Sequence, residues 1–221
     1  MSASLLQFPS ITKKIWMALL GIFLLIFLVV HLSINLCLLK SDPRWFNDAA
    51  YFMGTNYVVK IFEVVLFAGF ILHVALGIIL QVQNWMSRPV RYAVNNKSET
   101  PFLSKYMIWT GGIILIFLVI HLMNFWMMKL GWVDGPRMAD GEPDFYQRAI
   151  DLFSIPAYSL MYIVLFIVLG FHLNHAFQAA FQSLGLNFTK YSKCIERTGI
   201  VYSIVVPIGF IIIPIYFLLI R

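Results

Sequence analysis

The sequence predicts an all-α protein that crosses a membrane five times. Three observations predict it. Hydrophobic residues make up 61% of the 221 residues, and mean hydropathy is +0.83. Charged residues make up only 12%, against about 25% in a water-soluble domain. Five long apolar runs alternate with charged connections. Each run is long enough, at about 1.5 Å per residue, to cross a hydrocarbon core of about 30 Å.

The five spans cover approximately residues 15–39, 57–82, 106–128, 155–181 and 199–220. The first follows Lys13 and Lys14 and superficially resembles a signal peptide. It is longer than a typical signal core, lacks a small-x-small cleavage site and contains His31 and Asn35, so it reads as a retained span. The fifth contains Pro207 and Pro214, which predict a kink but are tolerated inside a membrane helix. Residues 1–221 therefore read as one transmembrane domain, and soluble chemistry falls to partner subunits.

The connections predict the orientation. One side carries Lys13, Lys14, Arg88, Arg91, Lys97, Lys105, Lys190, Lys193 and Arg197 against Glu99 and Glu196. On the other side Lys40, Arg44, Lys129, Arg137, Arg148 and Arg221 are outnumbered by Asp42, Asp48, Asp134, Asp140, Glu142, Asp144 and Asp151. The positive-inside rule puts the first side and the N-terminus in the cytoplasm, and the C-terminus outside. In a bacterium this is a multi-pass protein of the cytoplasmic (inner) membrane with a periplasmic C-terminus. The net charge of +6 is a topology signal and not a nucleic-acid footprint. Cys37 and Cys194 fall on opposite faces, which excludes a disulfide between them. No C-x-x-C-H encodes covalent haem attachment. The connection between spans three and four is rich in Gly, Pro and acids and reads as a surface cap.

An internal repeat organises the bundle. GIFLLIFLVVHL at 21–32 and GGIILIFLVIHL at 111–122 align without a gap and end on His31-Leu32 and His121-Leu122. Spans two and four share a Leu-Phe pair seven and six residues before a histidine, at Leu66-Phe67 and Leu165-Phe166. The alternation predicts a pseudo-symmetric four-helix bundle with the fifth helix outside.

The five histidines, His31, His73, His121, His172 and His175, all lie within predicted spans, and each of the first four spans has at least one. An ionisable group inside a bilayer is costly and marks function by default. The bland reading, one interhelical hydrogen bond per histidine, suits a single histidine better than one on each of four spans. His31 and His121 fall at one level of the outer half; His73 and His172 fall at one level of the inner half. Two levels with two histidines each suit two bis-histidine haems stacked across the bilayer. The four-helix bundle is then haem-binding, with haem iron ligands His31 and His121 (outer) and His73 and His172 (inner). Each neutral imidazole is expected to bond a backbone carbonyl through its other nitrogen. Gly69 and Gly77 flank His73 on one helix face and are candidates to let a flat macrocycle approach; tight helix packing is the other use of small residues. On span four His172 keeps the Leu-Phe match, whereas His175 is the alternative ligand or a propionate contact. Asn35 and Asn124 are candidates to bond a propionate, a quinone or the helix backbone.

This constellation resembles the large cytochrome b anchor of succinate:quinone oxidoreductases, also called succinate dehydrogenases and fumarate reductases, in the variety with one five-span anchor and two b haems. The matching features are five spans, an inside N-terminus, a histidine on each of the first four, a spacing of 42 from His31 to His73, and the H-L-N-H stretch at 172–175. The resemblance runs from about Lys13 to Arg221. It departs in the long acidic connection, which sets His172 51 residues after His121. It implies two haem b cofactors, a quinone substrate (menaquinone), and flavoprotein (FAD) and iron–sulfur partner subunits on the cytoplasmic face. Arg88, Arg91, Lys97, Lys190 and Lys193 would meet those partners. The chain would then be the quinone-reactive subunit of a tricarboxylic acid cycle enzyme, with no soluble catalytic site of its own.

Quinone chemistry needs a proton donor. Glu63 is the one acid within a span and lies ten residues outward of His73. It is the candidate catalytic group; the structural alternative is an i,i+3 ion pair with Lys60. Trp126, Tyr57 and Asn124 are secondary candidates. Two other readings stand beside this one. One is the haem b subunit of a formate dehydrogenase, nitrate reductase or hydrogenase. The other is a haem-free proton-coupled transporter, disfavoured by the lack of paired broken helices.

Overall fold

A computed structural model describes residues 10–86, 106–186 and 191–219. Arg88, Arg91, Lys97, Glu99, Lys105, Lys190 and Arg221 lie outside the described residues. The described chain forms seven helices and no strand. They are α1 (Ser10–Asn35, extended by a 3-10 turn at Leu36–Leu39), α2 (Arg44–Thr55), α3 (Tyr57–Met86), α4 (residues 107–129), α5 (Phe145–Phe153), α6 (Pro156–Ser183) and α7 (Ser192–Leu219). Five of them, α1, α3, α4, α6 and α7, are long and apolar enough to cross a membrane, and the chain is an all-α polytopic membrane protein.

The side chains that face outward fit a lipid solvent. Val64 is 70% exposed, Ile71 67% and Ile116 64%; in water such a surface would be an aggregation site. Exposed Trp16, Trp85 and Trp109 mark one end of the bundle, and Trp45, Tyr57 and Trp132 mark the other, as interfacial aromatic belts do. Lys13 is buried at the first end, where its Nζ donates to Gln83 Oε1 at 2.9 Å and ties α1 to α3.

Helices α1, α3, α4 and α6 form a ring in which neighbours touch: α1 with α3, α1 with α6, α4 with α6, and, more thinly, α3 with α4. Thus α1 faces α4, and α3 faces α6, across the diagonals. α7 lies outside the ring against α6 and α1. The α6–α7 contact is the most extensive in the molecule, because small residues let the backbones approach. A Cβ on Gly170 would stand 3.0 Å from the Ser203 carbonyl, and one on Gly199 would stand 2.8 Å from the Phe177 ring. Pro207 has no N–H to bond that Ser203 carbonyl one turn back, and Gly170 packs against it. Tyr202 ties α7 to α1 by donating to the Leu25 carbonyl at 2.7 Å. Phe166, Phe177, Phe210 and Phe217 are buried in this slab. By contrast α4 has no buried residue through Met107–His121.

The helices differ from the expected spans chiefly in their ends. α7 begins seven residues earlier than the apolar run, because Ser192–Thr198 is helical although polar; hydropathy finds where lipid begins, not where the helix does. The surface cap contains one amphipathic helix, α5, and the connection between the first two spans contains another, α2; the apolar runs revealed neither. Asp144 caps α5 by accepting from Gln147 N at 2.9 Å. Residues Tyr146, Ala149 and Phe153 form its buried stripe. Asn47 of α2 is 6% exposed and joins the two connections. Its amide donates to Asp144 Oδ1 at 2.9 Å and its carbonyl oxygen accepts from Tyr146 N at 3.1 Å. Tyr146 in turn donates to the Lys40 carbonyl at 3.2 Å. Gly131 and Gly141, at φ of 73° and 88°, make the turns of the cap.

Asn47→Leu removes both bonds, and with them the tie between the two connections. The expected cost is about 1–3 kcal/mol, read as a lower unfolding temperature in detergent together with faster proteolysis within residues 131–144.

Candidate functional site

The ring geometry puts four histidines on its two diagonals, and one pair of them is in ring contact. His31 of α1 and His121 of α4 meet with ring centroids 5.7 Å apart and planes at 88°. Both rings are half-buried. Phe27 stacks on His31 at 5.3 Å and 20°, and Phe210 of α7 stands 5.8 Å away. Phe117 and Phe125 flank His121 at 6.0 and 5.2 Å. Phe27 and Phe117 occupy equivalent places in the internal repeat, four residues before each histidine, so the repeat is one half-site used twice. These phenylalanines were not foreseen as site residues, although the repeat itself displayed them.

The other diagonal carries His73 of α3 and His172 of α6. The His172 ring is turned toward α4: its Nδ1 lies 3.1 Å from Thr110 Oγ1, and a Cβ on Gly111 would stand 3.5 Å from its Cε1. His175 follows three residues later but has no hydrogen bond or ring contact of its own among the described residues. The contact to α4 is made by His172.

The expected backbone bond on the second ring nitrogen is not found on these rings. His73 Nδ1 and His121 Nδ1 are buried without a hydrogen-bond partner, and His172 Nδ1 faces a side chain of another helix. Among the described residues no three His, Cys, Asp or Glu side chains converge, so any metal here would rest on two protein ligands.

Gly69 and Gly77 serve the contact between α1 and α3. A Cβ on Gly69 would stand 3.2 Å from Phe23, and one on Gly77 3.5 Å from Met17. The glycine beside a site histidine is Gly111, which the sequence offered only as part of the repeat.

Beyond His121 the chain of α4 widens into one π turn, Leu122–Trp126, a distortion common at functional positions. It places Asn124 and Trp126 on different neighbours. Asn124 Nδ2 donates to the Ile120 carbonyl at 2.8 Å and makes a short contact to the Tyr158 hydroxyl. Arg148 reaches both the Asn124 carbonyl, at 3.2 Å, and its Oδ1, at 3.3 Å. Asn35 Nδ2 donates to the His31 carbonyl at 2.8 Å, the third of its three foreseen roles.

Glu63 lies on α3 opposite Trp126 and Lys129, five and eight residues past His121. Its Oε1 accepts from Trp126 Nε1 at 2.6 Å and from Lys129 Nζ at 3.0 Å, and Oε2 accepts from Lys129 at 2.8 Å. The ion pair with Lys60 is not formed: Lys60 Nζ lies over the Tyr57 ring at 5.8 Å. Lys129 stands on a facing helix and supplies a better cation than a neighbour on the same helix. The Glu63 carboxyl and Lys129 side chains remain 24% and 27% exposed, so the cluster is reached from outside the bundle. Phe67 packs on Trp126 at 4.9 Å and completes the seam between α3 and α4.

The fold and these side chains define a membrane-embedded bundle with half-buried histidines on both diagonals, one pair of them in ring contact, and one clamped carboxylate. No protein-family model, no curated protein and no solved structure matches the chain.

Trp126→Phe deletes one of the three hydrogen bonds to Glu63 and keeps the ring packing. The expected loss of stability is about 0.6 kcal/mol and at most about 1.7 kcal/mol, the range of interhelical hydrogen bonds in membranes, measured by reversible unfolding in detergent.

Proposed function

We propose that this chain is a di-haem cytochrome b, the membrane anchor of a succinate:quinone oxidoreductase, and that it exchanges electrons between an iron–sulfur subunit and a quinone. One observation carries the reading: four helices arranged as a ring each carry a histidine, and His31 and His121 meet across one diagonal. A b-type haem supplies a one-electron carrier held by two axial imidazoles from opposite sides. Imidazoles bound to one metal at about 2 Å each have ring centres about 6 Å apart, and the His31 and His121 centroids are 5.7 Å apart. The buried, unpartnered Nδ1 atoms of His73 and His121 add support, because a buried imidazole nitrogen without a bond is costly and a metal ligand is one use that repays it. The ring spacing supports one such haem between His31 and His121, and His73 with His172 is the second pair of this proposal.

The chain's own residues have distinct tasks in this reading. Phe27, Phe117, Phe125 and Phe210 exclude water around the first pair. Glu63 is the proton-handling group for the quinone, with Lys129 and Trp126 holding its carboxylate near the end of the bundle that carries the cap. The resemblance supplies menaquinone as the quinone and flavoprotein and iron–sulfur partners on the cytoplasmic face of a bacterial inner membrane. By the positive-inside rule that face bears the N-terminus.

The test is a reduced-minus-oxidised optical spectrum of the complex purified from its membrane, with haem and covalent flavin quantified together. Two b haems per chain with one covalent flavin are expected, and His31→Ala or His73→Ala should each leave one haem. Two haems without flavin would place the chain in another respiratory complex, and no haem would overturn the reading. Glu63→Gln is expected to retain both haems while quinol turnover falls about a hundredfold, the lower range for losing a general acid–base group. Unchanged turnover would remove Glu63 from the chemistry.

A further inference from the structure

We propose that Thr110 is the positioning residue of the second histidine pair: its hydroxyl holds the His172 ring with the proton on Nδ1 and leaves Nε2 as the free nitrogen. The inference deepens the reading of His73 and His172 as a ligand pair and rests on it for its purpose, though not for its geometry.

Thr110 lies in the first turn of α4, whose helix begins at Met107. Its hydroxyl donates to the Met107 carbonyl at 3.0 Å, the usual back-bond of a helical threonine. A hydroxyl has one hydrogen and two lone pairs. With the hydrogen given to Met107, Oγ1 can only accept from its other neighbour, His172 Nδ1, at 3.1 Å. Nδ1 must then carry the ring proton, and neutral imidazole has its lone pair on Nε2.

The placement is built from two helices. Gly111 follows Thr110 and presents no side chain; a Cβ there would stand 3.5 Å from His172 Cε1 and 4.0 Å from Nδ1. The Nδ1–Cε1 edge of the ring thus rests against the Thr110–Gly111 step of α4. The other histidines with buried Nδ1 atoms, His73 and His121, lack such a partner. Of these three rings, only His172 has its tautomer set by the protein.

A hydrogen bond from Nδ1–H raises the basicity of Nε2, and removing such a partner costs about 10–100-fold in metal affinity where this has been measured. The effect should be confined to one pair. The first pair is more than a helical turn away along α4, since His121 follows Thr110 by eleven residues.

The test compares the full chain with Thr110→Val, which keeps the shape and removes the hydroxyl, and Thr110→Ser, which restores it. Nitrogen-15 spectra of ring-labelled histidine, with His172 assigned by its loss in His172→Gln, should show the proton on Nδ1 in the parent and in Thr110→Ser, and a mixture of tautomers in Thr110→Val. A proton on Nε2 in the parent, or no change in Thr110→Val, would overturn the proposal. This measurement does not require haem, so a preparation lacking haem would overturn the functional reading while the spectrum still judged Thr110. In the haem-bearing complex, Thr110→Val should raise one of the two midpoint potentials and weaken retention of that haem about tenfold, with Thr110→Ser returning both values. Equal movement of both potentials would mark a merely structural role and overturn the assignment.

Discussion

The arrangement depends on where an imidazole can be put inside a bundle that meets lipid on its outside. A ring facing hydrocarbon would lose its hydrogen bonds to water and gain nothing. A ring facing the bundle axis can meet a partner from the opposite helix. Four helices in a ring have two diagonals, and one histidine on each helix fills both. The levels then follow from chain direction. α1 and α4 run the same way and carry their histidines late, at His31 and His121. α3 and α6 run the opposite way and carry His73 and His172 each sixteen residues after the helix start, at Tyr57 and Pro156. The repeat between the first and third spans is the sequence trace of that symmetry.

The rest of the structure divides into a firm half and a thin seam. α6, α7 and the facing side of α1 pack through glycines and a buried phenylalanine ladder: Phe166 stacks on Phe210 at 5.2 Å and Phe153 on Phe217 at 6.4 Å. The seam between α3 and α4 has few close approaches and is fastened at one end by Glu63 with Trp126 and Lys129. A charged clamp suits that position because its polar groups sit at the end of the helices, where the desolvation cost is small, and because it fixes how far α4 stands from α3. The π turn after His121 then matters mechanically. By adding a residue to one turn, it lets His121 face the axis while Trp126 faces Glu63 and Asn124 faces Arg148.

The fold was legible because its signals are long. Twenty-residue apolar runs, charge at their ends and a repeated twelve-residue segment survive any local error, and the histidine levels could be counted from the lysines. The short elements were not legible in the same way. α5 did carry a signature, Asp144 three residues before Gln147 and apolar positions at 146, 149 and 153, but it sat inside a Gly- and Pro-rich connection that reads as loop. The partners of single side chains were least accessible. Glu63 has a lysine three residues before it and another sixty-six after it; only the packing of α3 on α4 makes the distant one its partner. Gly69 and Gly77 bear the spacing of a cofactor cradle but meet Phe23 and Met17, because the face they share is the one that α1 covers. Gly111, beside His172, belongs to a helix whose contact with α6 no local pattern announces.

The histidines of the two diagonals are alike in residue type and unlike in surroundings. His31 and His121 sit among four phenylalanines, a weakly polar shell that stabilises the neutral ring and gives no hydrogen bond to His121 Nδ1. His172 instead has a hydroxyl against one nitrogen and a backbone step against its edge. Second-shell contacts of this kind set the basicity and orientation of an imidazole, so an internal repeat that duplicates the ligands need not duplicate their behaviour. The sequence bears this out at the level of single positions: Phe27 and Phe117 are kept across the repeat, whereas position 110, threonine in the third span, corresponds to Leu20 in the first. A leucine there can neither accept nor donate a hydrogen bond. The hydroxyl that distinguishes His172 thus enters one residue before the repeated segment, and the asymmetry it makes lies between His172 and His73.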